Sequence, residues 1–251
     1  MTRVSVVIPA LNDSPMLANA LRALAVQSRP ADEIIVVDNG STDDTAAVAR
    51  ASGARVIEEP LRGIFPATAA GFDAATGDLI ARLDADSVPP SDWIQRVVDA
   101  FETDSELAAL SGPGDFYGSN PVVHWVAENL YIGGYIWFVG WLVGHAPLFG
   151  SNLALRSSTW VRLRTTVHRS MREIHDDLDL AIHIHPDMPV VFDTTLRVGV
   201  SARPFASLSS LGRRLKWAYT TLNLNSREKP FSVRRAEQHE WDRNRAEEAF
   251  G

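Results

Sequence analysis

The chain has 251 residues, which is long enough for one large α/β domain or two small ones with a substantial core. Its formal net charge of −7 argues against a general nucleic-acid-binding protein, which needs a basic face to neutralise phosphates. The sequence contains no cysteine, which excludes a disulfide framework and a thiolate metal site.

The first third of the chain predicts alternating strands and helices. Continuous β-branched runs are typical of strands buried on both faces, and leucines at helical spacing lie between them. The expected order is strand 4–10, helix 17–25, strand 33–38, a helix capped by Ser41 or Thr42, strand 54–60, helix 65–75 and strand 78–86. This alternation predicts a mostly parallel sheet with right-handed crossovers.

The regular alternation of predicted strands and helices ends after Pro90. The remaining predictions are a helix at 93–101, a strand and loop at 107–118, a helix within 173–184 and one or two strands within 189–203. Residues after about 223 are rich in arginine and glutamate, which favours an exposed helix or a loose tail. The sequence has no internal repeat and no linker, so we expect one domain.

An aromatic-rich stretch at 130–149 lacks Asp, Glu, Lys and Arg. Its apolar part before His145 is shorter than the about 20 residues that a transmembrane helix needs. A buried helix, a lipid-facing surface carrying Trp137, Phe138 and Trp141, and an acceptor groove all remain open. The first residues do not have the pattern of a secretory signal peptide. We therefore expect a cytoplasmic protein and leave open a peripheral membrane contact through 130–149.

Carboxylates stand where two predicted strands end. Asp38 closes the strand at 33–38, and Asp84 and Asp86 lie at the end of 78–86, just before a Pro-Pro pair. Because the carboxyl ends of parallel strands share one edge of a sheet, these side chains should converge where open α/β sheets bind ligands. Two like charges held close favour a cation between them, and carboxylate oxygens suit Mg²⁺ or Mn²⁺. Taken singly, each motif could instead be a turn or a capping aspartate.

Five segments, in this order, resemble the motif series of family-two inverting glycosyltransferases of the GT-A fold: VVIPALND, IIVVDNGSTDDT, GFDAATGDLIARLDADS, GSNLALRSS and DDLDLAI. The resemblance extends over roughly residues 3 to 220. It implies an α/β, Rossmann-like fold and a nucleotide-diphosphate-sugar donor. It also implies one domain over 1–222, with a donor-binding half at 1–90 and an acceptor-binding half at 91–222, followed by a charged helix or tail at 223–251.

The resemblance implies which residues bind the donor. The loop after the first strand would hold the base and ribose, and Asp38 would accept a hydrogen bond from a ring N–H of the base. Arg62 would pair with the diphosphate, because a guanidinium matches phosphate oxygens; a solvated loop arginine is the alternative. The donor-binding residues implied are Pro9, Ala10, Asp13, Asp38, Gly40, Ser41, Arg62, Gly63, Asp84 and Ala85.

The resemblance also implies a metal site and a general base. Asp86 would ligate Mn²⁺ or Mg²⁺ directly, while Asp84 would bind the same ion, contact the ribose or hold a metal-bound water. Asp177 occupies the second place of the family's Glu-Asp pair and would take the proton from the acceptor hydroxyl. Asp176 replaces the usual glutamate, which leaves open which carboxylate acts. The alternative is that both only favour the amino end of a helix.

Two features common in the family are missing. An Arg-Asn pair is replaced by Thr68-Ala69, and the segment 197–205 has no metal-binding histidine. His183 and His185 lie near the predicted base at a spacing that suits a strand, and we expect them to be structural. The Q-x-x-R-W motif of processive relatives survives only in a degenerate form, RRLKW. Transfer of a single sugar is therefore expected.

We predict an inverting, metal-dependent glycosyltransferase that acts on a glycan or lipid-linked acceptor, with no nucleic-acid partner. A nucleotidyltransferase is the first alternative, but the segment 9–17 lacks the glycine and basic residues that grip a triphosphate. A non-catalytic relative that binds a nucleotide sugar or a partner protein is the second alternative.

Overall fold

A computed structural model of the chain describes residues 1–118, 133–203 and 208–250. The strands in these ranges are β1 (Val4–Ala10), β2 (Glu33–Asp38), β3 (Arg55–Glu58), β4 (Leu79–Arg82), β5 (Ser87–Val88), β6 (Ala109–Ser111), β7 (Gly114–Tyr117), β8 (Leu153–Arg156), β9 (Val190–Phe192) and β10 (Val198–Ser201). The helices are α1 (Ser14–Ala25), α2 (Thr45–Ala51), α3 (Ile64–Ala74), α4 (Trp93–Thr103), α5 (Gly133–Val143), α6 (Ser157–Leu163), α7 (Asp176–His183), α8 (Leu208–Glu228) and α9 (Phe231–Phe250). Among the described helices, none has the length and apolarity needed to span a membrane.

The larger sheet has the strand order β3-β2-β1-β4-β8-β6-β9. Strands β1 to β4 pair in parallel, whereas β8 runs antiparallel to both of its neighbours. The predicted mostly parallel α/β sheet is therefore confirmed. The strand order reverses beside β1, between β2 and β4, and a crevice at such a switch point is where open sheets bind ligands.

A second, smaller sheet has the strand order β5-β10-β7. Its strand β5 directly follows the D-x-D turn in the chain. Ser87, directly after Asp86, pairs with Val200 of β10. This pairing brings the chain that follows β10, including Arg203, back to the carboxylates at the end of β4.

Both faces of the larger sheet are covered, which explains the continuous apolar runs of its central strands. Along β1, Val6 and Ile8 face a buried cluster with α1 and α4, while Val7 faces a second cluster with α3, α6 and α7. A Cβ atom on Gly71 would clash with Val7, so glycine allows α3 to lie close against β1.

The loop after β2 differs from the prediction. Helix α2 begins at Thr45, not directly after a Ser41 or Thr42 cap, so that prediction is wrong. The Ser41 hydroxyl accepts a hydrogen bond from the Asn12 N–H at 3.0 Å, and the Thr42 N–H donates to the Asn12 side chain at 2.7 Å. These residues tie the loop after β2 to the loop after β1 instead of capping the helix.

Three other expectations change in detail. The strand predicted at 78–86 ends at Arg82, so the D-x-D residues lie in the turn that follows it. His183 ends helix α7 and does not lie on a strand. Helix α8 runs continuously across residue 222, where we expected the tail to begin, and its Asn225 is buried and donates to Asp179 at 2.8 Å.

Within the aromatic-rich stretch, the described residues form helix α5 and the turn after it. Val139 and Val143 are buried in the core, whereas Trp137 and Trp141 are exposed on the opposite face. The buried helix and the exposed apolar surface are thus two faces of one element. Residues 130–132 lie outside the described ranges.

Candidate active site

Arg82 joins the D-x-D turn to the amino end of α7. Its Nη2 lies 2.8 Å from Asp84 Oδ1 and 3.1 Å from Asp176 Oδ2, and its side chain is only 3% exposed. The Thr68 hydroxyl also donates to Asp176 Oδ2, at 2.7 Å. Burial raises the pKa of the Asp176 carboxyl, an effect that the Arg82 guanidinium opposes. Asp176 is therefore buried, and its contacts with Arg82 on β4 and Thr68 on α3 hold the amino end of α7 in place.

Two features in which the sequence departs from the family pattern meet in this contact. Thr68 stands in the segment where the family often has Arg-Asn, and Asp176 replaces the usual glutamate. Their side chains are hydrogen-bonded to each other. The aspartate, which is shorter than the usual glutamate, thus accepts a hydrogen bond from the short Thr68 side chain on α3.

The Gly150–Ser151 turn lies between the D-x-D turn and Asp177. The Gly150 N–H donates to Asp177 Oδ2 at 3.0 Å, and the Ser151 hydroxyl donates to Asp84 Oδ2. A Cβ atom on Gly150 would clash with Arg82 Nη1 and lie 3.3 Å from Asp177 Oδ2, so a larger residue here would displace the Arg82 side chain from its observed position. Asp177 itself is half-buried. Of the two adjacent aspartates, it is the one that is partly exposed to solvent.

Asp86, the predicted metal ligand, pairs with Arg203. Arg203 Nη2 lies 3.2 Å from Asp86 Oδ2, and the same guanidinium bonds both oxygens of Asp13 at 2.7 and 2.8 Å. The Asp86 carbonyl accepts a hydrogen bond from the Tyr117 hydroxyl at 2.8 Å. Burial, together with the charge of Asp84, raises the pKa of Asp86 to about 6, although Arg203 opposes the shift.

The donor set of this edge suits a divalent cation. The carboxylates of Asp84 and Asp86 supply hard oxygen ligands, which Mg²⁺ and Mn²⁺ prefer. The raised pKa of Asp86 shows that the positive charge nearby does not fully compensate its burial and the charge of Asp84. A further cation would relieve this imbalance, so the residues fit the metal site that the sequence predicts.

A cavity of about 510 Å³ lies beside the carboxyl end of β1. Pro9 and Ala10 line it on one side, and Arg62 and Gly63 line it on another. Arg62 Nη2 donates to the Gly40 carbonyl at 2.9 Å, across a turn in which Gly40 has a φ of +83°. The structure therefore brings these predicted donor-binding residues around one space.

The remaining predicted donor-binding residues are not among those that line this cavity, and the structure gives them other contacts. Asp38 Oδ1 accepts a hydrogen bond from the Ser41 N–H at 2.9 Å, which holds the turn at Gly40. Asp13 pairs with Arg203, and Ala85 is buried in the core below the D-x-D turn. Asp38, Ser41 and Ala85 thus have structural partners of their own.

Sequence reasoning missed Arg82, Arg203 and Ser151 as parts of the site. Arg82 had a signal: a charged residue inside an otherwise apolar strand must find a buried partner. Ser151 lies in the GSNLALRSS motif, but its bond to Asp84 depends on the position of β8 beside β4. Arg203 lies in the segment noted for its lack of histidine, and only the pairing of β10 with β5 brings it to Asp86.

Comparison with known proteins identifies the family and the fold of the chain. The sequence profile of glycosyl transferase family 2 matches residues 5–157. An undecaprenyl-phosphate 4-deoxy-4-formamido-L-arabinose transferase of Sodalis glossinidius is 38% identical over 115 residues, which are 42% of this chain and 35% of that protein. The glycosyltransferase AglE of Haloferax volcanii is 32% identical over 126 residues, 47% of this chain and 38% of that protein. The matched part spans less than half the length of these curated relatives.

Solved structures share the fold. Glucosyl-3-phosphoglycerate synthase of Mycobacterium tuberculosis superposes with a TM-score of 0.60 at 22% identity, covering 89% of this chain and 80% of that one. A mannosyltransferase of Pyrobaculum calidifontis, in complex with GDP-Man and Mn²⁺, gives 0.61 at 20% identity, covering 79% of this chain and 56% of that one. The family profile covers more than half of the chain and includes both the D-x-D turn and the Gly150–Ser151 turn. The chain therefore belongs to glycosyl transferase family 2 and has the GT-A fold.

Proposed function

We propose that this chain transfers one sugar from a nucleotide-diphosphate sugar to an acceptor hydroxyl, by a single displacement that inverts the anomeric carbon. The observation that carries the proposal is the double ion pair of Arg82 with Asp84 and Asp176. It fixes the D-x-D turn and the amino end of α7 to each other, so that Asp177 stands beside the turn that would hold the donor diphosphate.

Asp177 acts as the general base in this proposal. It takes the proton of the acceptor hydroxyl as that oxygen forms a bond to the anomeric carbon, and the bond to the diphosphate oxygen breaks with its electron pair. The Gly150 N–H fixes Asp177 Oδ2, and the Leu178 N–H fixes Oδ1 at 2.8 Å, so the carboxylate has a defined orientation. Asp176 is buried between Arg82 and Thr68, which supports Asp177 as the base.

The donor would occupy the cavity beside β1 and reach the D-x-D turn. Arg62 lines that cavity and can pair with phosphate oxygens. Asp86 would hold Mn²⁺ or Mg²⁺, with Asp84 beside it, and the bound ion supplies Lewis-acid stabilisation of the leaving diphosphate. Mn²⁺ with UDP in a glucosyl-3-phosphoglycerate synthase structure, and with GDP-Man in the mannosyltransferase structure, supports a metal of this kind.

The proposed acceptor is lipid-linked. Trp137, Phe138 and Trp141 are exposed on α5 while the other face of the helix is buried. An apolar face of this kind suits an acyl or prenyl chain at a membrane surface. The undecaprenyl-phosphate named in one curated relative has this chemistry.

A binding experiment tests the donor site. The melting temperature of the purified chain is measured with UDP, GDP, CDP and dTDP sugars, each with Mn²⁺, Mg²⁺ or EDTA. Because a ligand that binds the native state stabilises it, we expect a metal-dependent increase for one base. No increase with any donor would favour a non-catalytic relative. Family membership argues against the nucleotidyltransferase alternative.

A further inference from the structure

We propose that His168, His183 and Glu228 form a binding site for a divalent transition metal of the Zn²⁺ class, separate from the D-x-D carboxylates. His168 lies in the loop between α6 and α7, His183 is the last residue of α7, and Glu228 is the last residue of α8. One ligand atom from each side chain lies within 4.8 Å of the others. The site would join the last turn of α7 to the junction of α8 and α9.

The two histidines are oriented by the same residue, Asp179. Its carboxylate is fully buried and accepts a hydrogen bond from His168 Nδ1 at 2.8 Å. Its carbonyl accepts one from His183 Nδ1, also at 2.8 Å. Because the Asp179 carbonyl can only accept, His183 Nδ1 carries the proton and its Nε2 is left as a potential ligand. His168 Nε2 donates to Glu228 Oε1 at 2.9 Å in the metal-free protein and would release that proton when a metal binds. A carboxylate or carbonyl behind each histidine is the usual arrangement around protein-bound zinc.

Asp179 is itself held in place. Its Oδ2 accepts a hydrogen bond from the His168 N–H at 3.0 Å, and its Oδ1 accepts one from the Asn225 side chain at 2.8 Å. Asn225 is buried on α8, less than one turn before Glu228. The groups behind the proposed ligands are therefore fixed by contacts from both helices.

Glu228 lies between the two Nε2 atoms. His168 Nε2 is 2.9 Å from Glu228 Oε1, and His183 Nε2 is 3.9 Å from Glu228 Oε2. Ligand atoms of a tetrahedral zinc ion, at about 2.0–2.1 Å from the metal, are roughly 3.3 Å apart. The two observed separations involve different oxygens of Glu228, and one is shorter and the other longer than this value. Side-chain rearrangements on the order of 1 Å would bring one Glu228 oxygen and both Nε2 atoms toward tetrahedral spacing.

The nature of the ligands selects the class of metal. Two imidazoles and one carboxylate suit Zn²⁺ and its first-row neighbours, whereas Mg²⁺ prefers an all-oxygen shell. A plain ion pair between a protonated His168 and Glu228 is the simpler alternative. That ion pair does not require the second imidazole, yet His183 Nε2 also faces the Glu228 carboxylate.

A fourth ligand can enter from a neighbouring cavity. A cavity of about 370 Å³ is lined by His183 and Glu228, together with Lys229, Arg234 and Glu237. The two cations there are occupied: Lys229 pairs with Glu237, and Arg234 donates to the Ile182 carbonyl at 3.1 Å. Water could therefore complete the coordination without direct competition from a free ammonium or guanidinium among the described lining residues.

The test uses the full chain without a histidine tag, stripped of metal with a chelator. We expect calorimetric titration to show one Zn²⁺ per chain at this site, and Zn²⁺ to raise the melting temperature. Glu228→Gln should weaken Zn²⁺ binding at least tenfold. Glu58→Gln, the same change in an exposed ion pair with Arg50 at β3, should leave the affinity within about threefold. Co²⁺ should give the visible spectrum of a four-coordinate ion in the wild-type protein and lose it in Glu228→Gln.

A second comparison separates this site from the proposed donor site. Asp86→Ala should retain the Zn²⁺ affinity and the Co²⁺ spectrum, whereas Glu228→Gln should retain metal-dependent nucleotide binding. Equal Zn²⁺ affinity of the wild-type protein and Glu228→Gln would overturn the proposal, as would a wild-type protein with no four-coordinate Co²⁺ spectrum. In either case His168 would be only an ion-pair partner of Glu228.

Discussion

Arg203 Nη2 lies 3.2 Å from Asp86 Oδ2, so the carboxylate that is predicted to bind the metal already forms an ion pair with a guanidinium of the protein. The same arginine holds Asp13 through two hydrogen bonds. It stands in the segment where many family members are expected to carry a metal-binding histidine. An arginine cannot ligate a cation, and its charge repels one. If Asp86 binds a divalent ion as proposed, Arg203 would compete with that ion for the carboxylate.

The first prediction concerns this competition. Arg203→Gln should strengthen Mn²⁺ binding to the nucleotide-free protein several-fold, because it removes a positive charge in contact with the ligand. Electron paramagnetic resonance of free Mn²⁺ measures the affinity. Arg96→Gln is the control, since Arg96 pairs with Asp193 at 3.1 Å in a separate ion pair. Weaker Mn²⁺ binding in Arg203→Gln would mean that Arg203 supports the ligand geometry instead.

The second prediction concerns pH. The pKa of Asp86 is raised from 3.8 to about 6, so in the metal-free protein its ionisation lowers stability as pH rises from about 4 to 6. Mn²⁺ binds the ionised carboxylate, and its affinity should therefore rise through pH 6 and level off above it. Titration without nucleotide avoids the protonation of the phosphates. Asp86→Asn should remove this part of the pH dependence; an unchanged profile would assign it to another group.

The third prediction separates the two adjacent aspartates. Asp177→Asn should keep nucleotide binding and lose sugar transfer by about 10²- to 10⁴-fold, the usual contribution of a general base. Asp176→Asn should instead lower the free energy of unfolding by about 3 kcal/mol, because Arg82 would lose a buried charged partner. Single-turnover transfer and urea unfolding measure the two effects. Transfer that survives in Asp177→Asn would move the base role to another residue.

The fourth prediction concerns the turn between these groups. Gly150→Ala should destabilise the protein by about 1–3 kcal/mol and reduce transfer, since the new Cβ atom would push against Arg82 and Asp177. Gly212→Ala is a matched control on α8, where a Cβ atom would meet nothing within 4 Å. It should stabilise the helix by up to about 1 kcal/mol. Equal effects of the two substitutions would show that Gly150 has room for a side chain.

The central strands could be predicted because their environment is uniform. The runs at β1 and β2 are apolar on both faces, and the observed strands coincide with the predicted ones. The start of α2 could not be predicted from local propensity. Ser41 and Thr42 are good capping residues, but their polar groups bind Asn12, 29 and 30 positions away.

The hydrogen bonds and ion pairs of Asp84 and Asp86 likewise depend on residues that are far away in the sequence. The expected convergence of Asp38 with the carboxylates after β4 stays a prediction, since the contact identified for Asp38 is with the Ser41 N–H. The two carboxylates after β4 could be predicted from a strand that stops. Their partners could not, since Arg203 is 117 positions from Asp86 and Ser151 is 67 positions from Asp84. These contacts exist because β10 pairs with β5 and β8 pairs with β4. Nothing in the local sequence specifies either pairing.

The fifth prediction concerns the acceptor surface on α5. Trp137 is 71% exposed, so its replacement by serine should barely change stability in the absence of lipid. If this face binds an apolar acceptor, Trp137→Ser should weaken binding to vesicles that carry a polyprenyl phosphate by roughly 10- to 150-fold, which corresponds to the about 1.5–3 kcal/mol of one buried large side chain. Trp241→Ser on α9, where the tryptophan is also exposed, is the control. If transfer to a water-soluble glycan acceptor falls as much as transfer to the lipid acceptor, Trp137 stacks on a sugar and the lipid proposal fails.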